Sequence, residues 1–120
     1  MYGYLLVFLG GGLGSLVRFS ISKILAPYSA LFPWATFAAN AISCVVLGML
    51  VGMNLRGHIN DSFRLLLMTG FCGGFSTFST FTNETFYLFQ TGHIFYGLSN
   101  IFLSLGLCLF CIYLGIKIIS

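Results

Sequence analysis

The chain has 120 residues, 58% of them hydrophobic and 6% charged, with a mean hydropathy of +1.02. A water-soluble fold of this length would leave much of that apolar surface wet, so composition excludes a soluble globular domain and points to a bilayer. Five basic and two acidic residues give a formal net charge of +3, which leaves no basic tract for nucleic acid and no polybasic lipid-binding cluster.

In lipid every span must satisfy its backbone internally, as helix or as closed barrel. The apolar runs are continuous rather than alternating, and each approaches the roughly 20 residues that cross the hydrocarbon core, so helix is the reading. The expectation is an all-α membrane protein with four transmembrane helices: Tyr4 to Ser22, Trp34 to Met53, Leu65 to Phe89 and Ile94 to Lys117. They form one four-span domain over 1–120, with no room for a soluble one.

No Lys or Arg precedes the first run, and it continues into Gly10-Gly11-Gly12-Leu13-Gly14, so it reads as a span and not as a cleaved signal peptide. The glycines resemble a nucleotide-binding loop only superficially, because no strand precedes them. Gly10-x-x-x-Gly14 suits close helix approach instead. Arg18 would cost a few kcal/mol at the bilayer centre. It either snorkels to the interface or meets an anion or a carbonyl cluster, and the sequence leaves both open. Ala26-Pro27-Tyr28-Ser29 and Phe32-Pro33-Trp34 punctuate the first connection, with Pro33 placed to open a helix and Trp34 at an interface.

In the second span Asn40 lies within Thr36-Phe37-Ala38-Ala39-Asn40-Ala41, small residues suited to tight contact. An interhelical hydrogen bond is one use for its amide; a donor facing a pore is the other, favoured here by the character of the third span. The most polar stretch follows, with Arg56, His58, Asn60, Asp61 and Arg64, and Asp61 or Ser62 is expected to cap the third helix. His58 and His93 sit near interfaces with no partners at ligand spacing and read as loop residues.

The third span contains Gly70-Phe71-Cys72-Gly73-Gly74-Phe75-Ser76-Thr77-Phe78-Ser79-Thr80-Phe81, poor helix sequence with paired glycines and several hydroxyls. A break in the middle of this helix is expected. Irregular backbone at membrane depth survives only where protein buries it or a wet cavity borders it, and freed carbonyls can then coordinate a cation. Glu84, the one acid in any span, is a functional candidate by default. Gln90-Thr91-Gly92-His93 is the last turn. In the fourth span Tyr96, Asn100 and Ser104 recur every four residues and put a polar stripe on one helix face. Cys44, Cys72, Cys108 and Cys111 all fall in apolar segments and read as packing residues, Cys108-x-x-Cys111 included.

Arg56, Arg64 and Lys117 would face one side of the membrane, Arg18 and Lys23 the other, so the positive-inside rule gives little preference. Near balance permits insertion in both orientations and pairing of inverted copies about an axis in the membrane plane. A four-helix subunit encloses little interior, so a dimer is expected.

Across essentially its whole length the chain resembles the Fluc fluoride channel family, also called CrcB. The resemblance rests on the four spans, the Gly-rich first span ending in Arg18-Phe19, Asn40, and the run Gly70 to Phe81. It implies an antiparallel dual-topology homodimer in the bacterial inner (plasma) membrane, surrounded by lipid, with two fluoride pores and a structural, non-transported sodium ion (Na+) at its centre. It implies a passive fluoride exporter and not an enzyme. Phe78 and Phe81 would line the pore with Asn40 nearby, while Thr80, Tyr96 and Ser104 would form a polar track. Backbone carbonyls of Gly73 and Ser76 would hold the sodium, with Arg18 and Glu84 as vestibule candidates. Asn100 stands where a smaller hydroxyl residue is expected, and Ser76 where threonine is commoner. The alternative reading is a small dual-topology proton-coupled multidrug exporter, but such exporters keep a glutamate in the first span, and here that span has no acid. A non-transporting assembly subunit would not need the polar stripe.

Overall fold

A computed structural model of the chain describes residues 2–28, 32–76 and 78–119; Ser29 of the first connection and Thr77 of the third-span motif lie outside them. Among the described residues every regular element is helical: α1 (Tyr2–Leu25, continued by a 3₁₀ turn Ala26–Tyr28), α2 (Trp34–Leu55), α3 (61–75), α4 (Phe78–Gln90) and α5 (Ile94–Ile119). α1 with its turn, α2 and α5 are each long and apolar enough to cross a membrane.

These helices outrun the expected spans because hydropathy falls at the first polar side chain, whereas a helix continues until something stops it. α2 stops at Gly57, whose φ of +75° is the left-handed conformation glycine adopts without a side-chain clash. There the His58 N–H donates to the Met53 carbonyl at 3.0 Å and the Gly57 N–H to that of Asn54 at 3.0 Å, the paired bonds of a Schellman cap. Gly92, at φ +84°, closes α4 in the same way, with His93 N–H donating to the Leu88 carbonyl at 2.8 Å.

α3 opens on Asn60, not on Asp61 or Ser62 as expected: the Asn60 Oδ1 accepts from the Phe63 N–H at 2.8 Å. Asp61 lies inside the first turn and ion-pairs with Arg64 at 2.7 Å. After that turn the winding is π-helical over Arg64–Cys72 and returns to α at Gly73–Phe75. π winding is usually a single-turn insertion, so a nine-residue stretch is unusually long and widens the helix just ahead of the break.

α2 packs most extensively on α5, and α1 on α3. Where Gly48 meets α5, an added Cβ would strike the Ile112 carbonyl, and one at Gly52 would reach Ile116 and Ile119, so the two helices run parallel. Their far ends are tied by Arg56, whose guanidinium donates to the Ile119 carbonyl at 2.6 Å. The chain must therefore cross once between them, and α3 with α4 makes that crossing in two pieces. The long dimension of the subunit, 47 Å, matches a bilayer with its headgroup layers. Side chains are distributed as lipid demands. Tyr4, Phe8 and Phe102 lie 70% exposed or more, while Thr36, Ser43, Thr85, Asn100 and Ser104 are buried.

Candidate functional site

The break falls at Ser76, inside the run where it is expected and two residues beyond the paired glycines. Ser76 adopts φ −91° and ψ 152°, extended backbone that no helix contains. It remains tied to the turn behind it, since both its N–H (3.1 Å) and its Oγ (2.9 Å) donate to the Cys72 carbonyl. Ser43 of α2 donates to the same carbonyl at 3.3 Å. Ending the helix here removes the donors that carbonyls of the last turn would find one turn on. One of them is satisfied from α1, where Arg18 Nε donates to the Gly74 carbonyl at 3.4 Å. Arg18 thus reaches a single backbone carbonyl of the broken helix.

The break opens a groove of about 200 Å³ between α2, α4 and α5. Asn40 and Cys44 line it from α2, Ser76 from the break, Phe78 and Phe81 from α4, and Ser104 with its neighbours from α5. Register explains the gathering. Asn40 and Cys44 lie two turns and one turn before Gly48, and Ser104 and Cys108 lie at the same offsets before Ile112, so the glycine contact brings these small and polar side chains face to face. The Phe78 and Phe81 rings stand with centroids 5.8 Å apart and planes at 42°. Phe78 is 76% exposed, so its ring borders the open side.

Thus Asn40, Phe78, Phe81 and Ser104 come together, whereas Thr80 and Tyr96 are not in the lining among the described residues. Tyr96 borders a second hollow with Tyr28, Phe32, Trp34 and Phe95 near the start of α2. The polar stripe on α5 is accordingly divided. Asn100, 1% exposed, faces α4 and donates through Nδ2 to Thr85 Oγ1 at 2.9 Å, while Ser104 Oγ donates to Asn100 Oδ1 at 3.1 Å. Thr85 in turn donates to the Phe81 carbonyl at 2.8 Å. Thr85 is the residue sequence reasoning missed. Its place one turn after Phe81 was the available signal, since threonine hydroxyls commonly bond the carbonyl four residues back.

Glu84 lies beside Thr36 of α2, with Oε1 buried and lacking a hydrogen-bond partner among the described residues. Gly73 points away from the subunit interior, and a Cβ added there would meet nothing within 4 Å. All four cysteines are free thiols, and the described residues contain no group of three or more metal-ligating side chains.

The sequence pattern described as "CrcB-like protein, Camphor Resistance (CrcB)" matches residues 5–116. Among curated proteins, a "Fluoride-specific ion channel FluC" of Phocaeicola vulgatus is 45% identical over 93 residues, covering 77% of each chain. Proteins of the same name from Desulfotalea psychrophila and Methylobacillus flagellatus are 41% and 40% identical, covering 94% and 100% of this chain and 88% and 96% of their own.

Proposed function

This chain belongs to the CrcB-like family, and on that premise we propose that it is a fluoride-selective channel, not an enzyme, that lets fluoride leave the cytoplasm passively. The observation that carries the reading is the groove in which Phe78, Phe81, Asn40 and Ser104 converge at a helix break. Aromatic rings have a positive edge and a negative face, so an anion passing Phe78 and Phe81 is met by their edges. The Asn40 amide supplies N–H donors. Weak donors replace part of the hydration shell without a fixed cation that would trap the ion, and conduction requires binding weak enough to leave. Fluoride, the smallest halide and a strong acceptor, gains most from closely spaced donors.

The full assembly in this reading is a pair of inverted copies with two such pathways and a structural sodium ion between them. Two features of the subunit support it. The backbone carbonyls of Gly73 and Ser76, beside the break, are hard oxygen ligands suited to a hard cation. Gly73 also has open space beside it, unlike Gly74, where a Cβ would strike the Gly11 carbonyl. Gly73→Leu should therefore leave the subunit folded while abolishing dimers. Dimers of normal mass and thermal stability in that variant would count against a sodium site at the interface. With the native thiols replaced, a single cysteine in the 56–60 loop should label from both faces of the cell membrane, and one-sided labelling would exclude dual topology.

The deciding experiment is fluoride efflux from liposomes containing the purified protein, read with a fluoride electrode. Wild type should release fluoride, and Phe78→Ile and Phe81→Ile should each assemble yet lower efflux on the order of tenfold or more, since side-chain volume is nearly kept while the ring-edge dipole is lost. Near-normal efflux in both variants would return the two rings to ordinary packing.

A further inference from the structure

The buried chain running from Ser104 to Phe81 has only one possible direction. The Phe81 carbonyl carries no proton, so Thr85 must donate to it across 2.8 Å. Having given its single proton, Thr85 Oγ1 can only accept at 2.9 Å from the Asn100 amide, which must turn Nδ2 toward it. Asn100 Oδ1 then faces Ser104, and the Ser104 hydroxyl must donate to it at 3.1 Å. The amide orientation is thus dictated by a carbonyl two links away. With Asn100 1% exposed, water has little access to substitute for any member.

Ser104 lines the groove, yet its only proton is committed behind it. We propose that Asn100 is a positioning residue that holds Ser104 with its lone pairs toward the groove, so the hydroxyl serves a passing anion only by letting go of Asn100. The inference rests on reading the groove as the fluoride pathway. A hydroxyl free to donate would add a bond to the ion and deepen its well. Tethering that hydroxyl keeps the well shallow, and the buried amide sets by how much.

The test compares half-saturating fluoride concentration with maximal efflux in the reconstituted protein. Ser104→Ala alone should shift half-saturation by less than the releasing variants do, because it removes a proton that reaches the ion only on release from Asn100. Asn100→Ala frees Ser104 to donate to the ion, so half-saturation should fall on the order of tenfold, with slower maximal efflux as release becomes limiting. Thr85→Val keeps Asn100 but removes the anchor that fixes its amide, and should shift half-saturation in the same direction. Adding Ser104→Ala to either variant should erase the shift. The proposal is overturned if Ser104→Ala alone weakens fluoride binding about tenfold, if neither releasing variant shifts half-saturation, or if the shift survives without Ser104. Should the releasing variants fail to assemble, the single Ser104→Ala measurement decides by the same criterion. Absence of fluoride efflux from wild type would instead sink the channel reading itself, a result separate from all of these.

Discussion

The seam between α1 and α3 and the seam between α4 and α5 solve the same problem by opposite means. Along the first, an added Cβ at Gly10 would strike the Leu66 carbonyl and one at Gly14 the Phe71 carbonyl, so backbone lies directly on backbone. Along the second, contact runs through side chains, from Ser104 through Asn100 and Thr85 to Phe81. Lipid tails are as apolar as leucine, so neither seam is driven by apolar burial. A contact made by missing atoms is all or nothing. A contact made by hydroxyls and an amide can be adjusted one bond at a time, and the groove borders this second kind.

The comparison is easiest to break at the glycines. Gly14→Leu should prevent assembly of a folded protein, at a cost of more than about 4 kcal/mol, because the clash is with backbone that cannot rotate away. Gly12→Leu, two residues earlier with nothing within 4 Å of its added Cβ, should extract as a normal species on size exclusion. Equal behaviour of the two would mean that composition, not contact, governs the first seam. Thr85→Val tests the second seam: losing two buried hydrogen bonds of a membrane interior should lower thermal stability by about 1–2 kcal/mol with the fold intact. Asn60→Ala, outside both seams, removes the cap of α3 and should cost about 1 kcal/mol in detergent. Asp61→Asn breaks only a solvent-exposed ion pair to Arg64 and should cost less than about 1 kcal/mol, falling further at high salt.

These differences track what a sequence can express. The Gly10-x-x-x-Gly14 spacing and the continuous apolar runs are local signals, and the helices and the close approach of α1 follow them. Asn40, Phe78, Phe81 and Ser104, four of the residues that the family resemblance names, lie together around the groove, while Thr80 and Tyr96 do not line it among the described residues. The break was legible within the Gly70 to Phe81 run, where paired glycines and hydroxyl residues make poor helix, although such residues permit a break without dictating that Ser76 is where backbone turns extended. Asn60 was passed over as the cap because Asn, Asp and Ser stand in succession at 60–62 and all cap well. The tie between Asn100 and Thr85 was not legible, since periodicity puts Asn100 on a polar face without saying which helix that face meets.

The turn at Gly92 also bears on how the chain enters the bilayer during synthesis. α4 has 13 residues, about 20 Å of helix, too short to cross a hydrocarbon core of about 30 Å by itself. Only three residues, 91–93, separate it from α5, the 26-residue helix that follows. α4 therefore cannot act as an independent stop-transfer element and should partition into lipid as one arm of a helical hairpin, carried by α5. A nascent chain ending at Gln90 should leave 78–90 accessible to water-soluble reagents, and extension through Ile119 should withdraw the same residues.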